Sequence, residues 1–362
     1  MSSRRSARIA VALAGLGLVV GCAAPTTPGA RQEPGDTPAP ATAAATRYPL
    51  TIDNCGRKVT FDAAPSRVVL LNGTSVAEVE SFVALGITDR ILANSQSYGV
   101  SDDPGMVEKV AAVPTGGLTW NENFEVPREQ VLALEPDLVI STWAGGFDEK
   151  IGSISRDQLD EAGIKSFVTP VNCAFGAPEA RPEDQRRLEA QSVESSFELL
   201  LTLGQIFDVQ QRAADYVNEA RAQLAEIAEQ VRGEEPKSVL IAYPGMSMMN
   251  ANGLPAVFGG GIYDDVISRA GGRNPFAGKD MAELSEINAE ALASADVDVL
   301  VIGLFQPDEN GELLAADLFT KFPGWQASRT RTFTTVSDGV YLGPLNVHAV
   351  RKIADAAHGP KR

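Results

Sequence analysis

The sequence predicts an α/β protein built as two similar lobes joined by one long helix. Short aliphatic runs alternate with segments of helical period along most of the 362 residues, which is the grammar of an α/β fold. Residues 208–232 contain no Gly or Pro, and their apolar residues Val209, Ala213, Tyr216, Ala220, Leu224, Ile227 and Val231 recur at steps of three and four. That spacing puts a continuous stripe on one face of a rod about 37 Å long. Asp208, with Gln211 three residues on, predicts a capped start, and Gly233 with Pro236 a stop. On either side of the rod the same pattern stands twice. Val126, Glu129 and Asp137 in one copy match Ile287, Glu290 and Asp298 in the other, each Glu three residues after an aliphatic residue and eight before the Asp that opens a buried strand.

In chain order, Arg4, Arg5 and Arg8 precede an apolar core at residues 9–20, too short for a comfortable membrane span. Val19-Val20-Gly21-Cys22 resembles a bacterial lipobox. It implies a signal peptide at 1–21 and a diacylglycerol anchor on Cys22, which would hold the protein at the extracytoplasmic face of the membrane. Residues 22–47 are rich in Pro, Ala, Thr and Gly and hold no Val, Ile, Leu, Met or aromatic residue. Such a stretch buries too little to offset its ordering entropy and reads as a tether.

The body is acidic: the chain has 31 basic against 47 acidic residues, a net charge of −16, and loss of the leader arginines makes the remainder more so. That balance argues against nucleic acid and against electrostatic adhesion to anionic lipid. Cys55 and Cys173 are the thiols left after Cys22, and an even pair in an exported compartment is expected to form a disulfide. His348 and His358 both stand near the end of the chain, so a site for a bare metal is not expected.

The first lobe is expected over 48–207. Its elements are a hairpin at 50–52 and 58–61, strands at 67–71, 91–94, 137–141 and 166–168, and helices at 76–85, 126–134, 155–162 and 185–204. The second lobe, 233–362, repeats the alternation with strands at 238–243, 298–302 and 332–336 and helices at 262–270, 288–295 and 347–357. Enzyme signatures are weak. Gly278-Lys279 lacks the earlier glycine of a phosphate loop, Arg273 standing in its place, and no Gly-x-Ser-x-Gly elbow is present. Gly259-Gly260-Gly261 before a helix reads as a tight turn. No enzymatic activity and no cofactor are expected.

Tyr48-Pro-Leu-Thr-Ile-Asp-Asn-Cys-Gly-Arg-Lys-Val-Thr-Phe61, Pro65-Ser-Arg-Val-Val69, Ala84-Leu-Gly86, Asp89-Arg-Ile91 and Leu134-Glu-Pro-Asp-Leu-Val139 resemble the iron-siderophore and cobalamin class of ABC-transporter solute-binding proteins. The cysteine pair resembles its actinobacterial branch. The resemblance implies two Rossmann-like lobes, a rigid connecting helix, a ligand cleft between the lobes, little hinge closure and a monomeric receptor. It implies an iron(III)-siderophore as ligand, with cobalamin or haem as the alternative, and an ABC permease with its ATPase as partner. Open α/β sheets bind ligands beyond the C-terminal ends of their strands. The cleft candidates are therefore Asn72, Tyr98, Trp120 and Trp143 in the first lobe, with Gly73 and Phe147 beside them. In the second they are Tyr243, Met246, Phe305 and Tyr341, with Met248 nearby. Leu284 stands where a cobalamin binder of this class would have a third Trp. The class presents one acidic residue per lobe to permease arginines, and Glu129 and Glu290 match those positions, with Glu80 as the rival in the first lobe.

Overall fold

The computed structural model describes residues 44–71 and 75–360. The leader, Cys22, Asn72 and Gly73 lie outside the described residues. Among these no helix is long and apolar enough to cross a membrane.

The body opens on a hairpin, β1 (Leu50–Asn54) against β2 (Arg57–Phe61), with Cys55 and Gly56 at positive φ in its turn. The first sheet follows: β3 (Val68–Leu70), α1 (Ala77–Ala84), β4 (Ile91–Asn94), α2 (Pro104–Ala111), α3 (Arg128–Ala133), β5 (Leu138–Ser141), α4 (Arg156–Glu161) and β6 (Lys165–Val168). Its strands are all parallel, in the order β4-β3-β5-β6. Helices α5 (Pro182–Glu189), α6 (Val193–Ile206) and α7 (Gln210–Gln230) lead into the second sheet. That sheet contains β7 (Lys237–Tyr243), β8 (Ala256–Val257), β9 (Gly272–Arg273), β10 (Val299–Gly303) and β11 (Phe333–Val336). Around it lie α8 (Gly261–Arg269), α9 (Met281–Ser285), α10 (Ala289–Ser294), α11 (Gly311–Lys321), α12 (Gln326–Thr330) and α13 (Asn346–His358). Strands β11, β10 and β7 are parallel neighbours. On the far side of β7, antiparallel β8 pairs with its C-terminal end and parallel β9 with its N-terminal end.

The internal repeat maps onto equivalent places in the two sheets. Asp137 precedes β5 and accepts the backbone N–H groups of Ser66 (2.7 Å) and Arg67 (3.0 Å), just ahead of β3. Asp298 precedes β10 and accepts the N–H of Ser238 (2.9 Å) at the start of β7. In both lobes the Asp ties the start of its own strand to the start of its neighbour. A helix of fixed length ahead of it then fixes the distance back to the Glu.

Helix α7 is the expected connector, and it is bonded to both lobes. Arg212 near its start donates to the carbonyls of Leu85 (2.6 Å) and Gly86 (3.0 Å) in the first. Gln230 at its end donates to Asp355 Oδ1 and to the Gly359 carbonyl, both at 2.9 Å, in the second. Ala213, Val217, Ala220, Leu224 and Ile227 form its buried stripe. The main apolar core is continuous through this helix. It joins Val68, Leu70 and Phe82 of the first lobe to Val239, Ile241 and Val350 of the second, and a separate core covers the outer face of each sheet.

Several details differ from expectation, and helices α9, α11 and α12 fall where no helix was expected. Asp208 does not cap α7: Val209 is the N-cap, and the Asp208 carboxylate accepts the N–H of Thr46 at 2.6 Å. Thr46 also donates to the Gln205 carbonyl at 2.6 Å, so the packed body starts ahead of Tyr48. The helix expected at 185–204 is two helices, broken at residues 190–192. Asp265 from α8 accepts the N–H of Val193 at 2.9 Å and starts the second one, a tertiary partner invisible to local pattern. Helix α2 went unforeseen, although Asp103 with Pro104 is an N-cap and first-turn proline; the Asp103 side chain accepts the Gly105 N–H at 3.0 Å.

Candidate functional site

Parallel strands in both lobes deliver their C-terminal ends to one crevice, and the loops that leave those ends carry the candidate residues. In the first lobe the ring of Trp143, two residues past β5, lies 5.2 Å from that of Phe175, past β6. Glycines make room for it: a Cβ at Gly145 or at Gly176 would stand 2.4 Å from its ring. Trp120 donates from Nε1 to Ser95 Oγ (3.3 Å) just past β4, and 52% of it remains exposed. Phe124 and Phe175 are exposed as well, while Phe147 is buried beneath them. Across the crevice Met248 and Met249, past β7, are exposed together with Met281 of α9. A cavity of about 270 Å³ lies there, lined by Met249, Phe258, Met281 and Leu284. A larger one of about 510 Å³ is walled by residues 44–47 and α6, and no crevice residue lines it.

Aromatic contact between the lobes forms the floor. Tyr98, from the loop after β4, packs edge-on against Phe305 (5.4 Å between centroids) and Tyr341 (5.9 Å). Tyr341 stacks on Tyr243 at 5.7 Å and points its hydroxyl at Met246 Sδ, 3.9 Å away. Tyr243 has no exposed surface and donates to the Ser337 carbonyl at 3.1 Å. Its ring fills the space over Gly303, where a Cβ would meet it at 2.1 Å. It therefore props Tyr341 from below and presents no atom to the crevice. The structure thus joins Tyr98, Met246, Phe305 and Tyr341 at the floor, sets Trp120 and Trp143 on the first-lobe wall, and leaves Asn72 undescribed.

Beside the aromatic floor lies a set of buried carboxyls that sequence reading did not place there. Glu78, in the first turn of α1, accepts from Gln96 Nε2 (3.0 Å), Thr142 Oγ1 (2.7 Å) and Thr169 Oγ1. It thereby ties together the segments leaving β4, β5 and β6. Burial raises its pKa, against which those donors pull. Asp102 reaches into the second lobe. Its Oδ2 accepts the N–H groups of Ser337 (2.8 Å) and Gly339 (2.9 Å), and its Oδ1 accepts Lys352 Nζ of α13 (2.6 Å). In return the Asp102 N–H donates to Asp338 Oδ1 at 2.7 Å. Glu80 of α1, 2% exposed, lies close to Asp338 of the other lobe, and each keeps one carboxyl oxygen buried without a partner. Burial and then the Asp338 charge hold Glu80 well above the usual carboxylate range, and burial raises Asp338. The spacing Glu78, Glu80 at the head of an apolar helix was the available signal; Glu80 was read instead as the rival docking residue of the first lobe. Among the described residues no group of three or more His, Cys, Asp or Glu is arranged to hold a metal ion.

Cys55 and Cys173 are joined, their sulfurs 2.06 Å apart, tying the hairpin turn to the loop after β6. Glu129 and Glu290 are both exposed, each second in its helix, α3 or α10. These helices run back against the strands that follow them, so their N-termini sit at the crevice end of each lobe. Glu129 accepts from Arg128 Nη2 at 3.1 Å, whereas Glu80 is sealed in the floor and unavailable to a surface partner.

Comparison with known proteins agrees with this architecture. The family model described as periplasmic binding protein matches residues 72–330. Nothing among the curated proteins matches the chain. Among solved structures, a periplasmic binding protein from Veillonella parvula superposes with a TM-score of 0.66 at 18% identity, covering 86% of this chain and 98% of that one. A protein titled as an ABC-type Fe3+-hydroxamate transport system from Saccharomonospora viridis gives 0.61 at 24%, covering 86% and 99%. A periplasmic haem-binding protein from Roseiflexus in its apo form gives 0.54 at 21%, covering 81% and 98%.

Proposed function

The chain belongs to the periplasmic binding protein family, extracytoplasmic solute receptors of ABC transport, and from that premise we propose that it captures an iron(III)-siderophore and hands it to a permease. The observation that carries the reading is the crevice itself. Aromatic side chains on one wall face methionines on the other, over a floor closed by Tyr98, Phe305 and Tyr341. Large apolar surfaces with a few polar atoms between them suit a bulky chelate. Solved relatives in fold include one titled for Fe3+-hydroxamate transport. The metal arrives as cargo inside its chelate, and the receptor returns it unchanged. The lobes are taken as 48–207 and 233–362, with Trp120, Trp143, Met246, Phe305 and Tyr341 contacting the ligand. Lipid on Cys22 anchors the protein as a monomer, and Glu129 with Glu290 dock it on the permease through charge-assisted hydrogen bonds.

Haem is the second reading, favoured by the Tyr341 hydroxyl and Met246 sulfur side by side at the floor and by the fold shared with haem-binding proteins. Native mass spectrometry and visible absorbance of protein purified from its own host test both. A ferric chelate band with the matching mass increment supports the siderophore, and a Soret band replaces it with haem. Turnover of the bound molecule would overturn the receptor reading.

A further inference from the structure

The crevice loops are sorted by charge. Residues 94–103, 118–125, 142–148, 243–250, 256–261, 304–310 and 337–345 contain no Lys, Arg or His, and neither do residues 72–80 and 169–177. Their charged side chains are all carboxylates. Asp102, Glu125 and Asp338 are buried, and Glu309 is half-buried with Oε2 on the N–H groups of Phe305 (2.5 Å) and Gln306 (2.6 Å). Both Glu125 and Glu309 keep a second carboxyl oxygen buried without a partner.

Cations that touch these loops from outside are already committed. Lys352 is bonded to Asp102 at 2.6 Å, Lys109 stands 3.9 Å from Asp103, and Arg156, 6.0 Å from the Phe147 ring, donates to Asn54 and Ser166 on the far side. Lys150 and Lys279 lie just beyond the loop ends, both exposed, Lys279 against Glu283 at 3.6 Å. An anionic group entering this crevice would leave water and meet carboxylates and apolar side chains on the loops themselves, the cations Lys150 and Lys279 standing outside at their exposed ends. Burying an unpaired charge is among the costliest events in protein association.

We infer that the crevice selects chelates of zero or positive net charge, an inference that rests on the ferric-chelate reading above. Three hydroxamate monoanions cancel the charge of Fe(III), whereas three catecholate dianions leave a trianion and a porphyrin brings two propionates. The occupant is therefore of the tris-hydroxamate class, neutral or carrying a free ammonium. Exposed Trp120, Phe124, Met248 and Met281 cover the uncharged faces of such a molecule.

One ferric tris-hydroxamate scaffold carrying a pendant ammonium, no pendant charge or a pendant carboxylate tests this, titrated into the mature protein by tryptophan fluorescence. The carboxylate derivative is expected to bind at least about tenfold more weakly than the neutral one, with the gap narrowing as salt is added. The ammonium derivative is expected to bind no more weakly than the neutral one. Glu122→Lys combined with Asp308→Lys, both at exposed crevice positions, narrows the gap without added salt. Equal or tighter binding of the carboxylate derivative overturns the charge inference and leaves the receptor reading standing, as does tighter binding of haem or of a ferric tris-catecholate. Failure of every ferric chelate and tetrapyrrole to bind overturns the receptor reading and this inference together.

Discussion

Burial of Glu80 beside Asp338 makes stability depend on pH in a direction opposite to that of an ordinary carboxylate. Glu80 is held protonated by burial and by the Asp338 charge, with Asp102 and Glu78 adding to the effect. Lys352 is the nearby cation and is spent on Asp102, while Tyr98 and Tyr216 stay neutral. The folded state therefore keeps a proton that the unfolded chain releases above the usual Glu range. A raised folded pKa contributes stability fully present below the unfolded value and lost as pH rises towards the folded one. Each pH unit in that window removes about 1.4 kcal/mol per proton. Glu80→Gln keeps the volume and does not titrate. The variant is expected to cost about 1 kcal/mol at low pH and to lose stability more slowly than wild type as pH rises, the slopes differing by up to one proton. Asp338→Asn should flatten the curve in the same way. Denaturant unfolding at constant ionic strength across a pH series reads both. Parallel curves for wild type and Glu80→Gln would show that Glu80 holds no such proton.

Reduction of the Cys55–Cys173 bridge, which spans 118 residues, should lower stability by about 2–5 kcal/mol, and titration of the unfolded, unreduced mature protein should find no free thiol from either residue. Tyr341→Ala removes a ring that touches Tyr98, Tyr243, Phe258 and Tyr263; it should cost about 3–5 kcal/mol and weaken ligand binding, both measurable by thermal melting with and without ligand. Glu129→Ala and Glu290→Ala should leave ligand affinity unchanged and impair uptake, most in the double variant; normal uptake by the double variant would remove both residues from docking.

Much of the fold was legible because it is written in local period. The stripe of α7 and the strands β3, β5, β7 and β10 are continuous apolar patterns that burial on both faces demands. The repeated Glu and Asp were visible as spacing, but the cause of the spacing is a bond from each Asp to another strand some 60 to 70 residues earlier, which no local window contains. The break before α6 hid for the same reason, since Asp265 lies in the other lobe. At the crevice, sequence reading found the aromatic residues because they follow strand ends, and misjudged Tyr243, whose depth depends on Gly303 in a neighbouring strand. Glu78 was passed over and Glu80 taken for a surface docking residue because an acidic first turn is the ordinary dress of an exposed helix. Only tertiary placement distinguishes Glu78 and Glu80, both buried, from Glu129, exposed on α3.

The floor also bears on how far the lobes can part. Separating them would strip Asp102 of two backbone N–H partners and Lys352, and pull Tyr98 from Phe305 and Tyr341. Each buried polar group so exposed must be resolvated, and the apolar core that runs through α7 from Leu70 to Val350 would have to open as well. A conventional hinge needs a thin, polar crossing, and this crossing is broad, buried and charged. The rims, where Trp120, Phe124, Met248 and Met281 remain exposed, are then the parts left free to move, and the floor holds the lobes, with Glu129 and Glu290 on them, at a fixed separation.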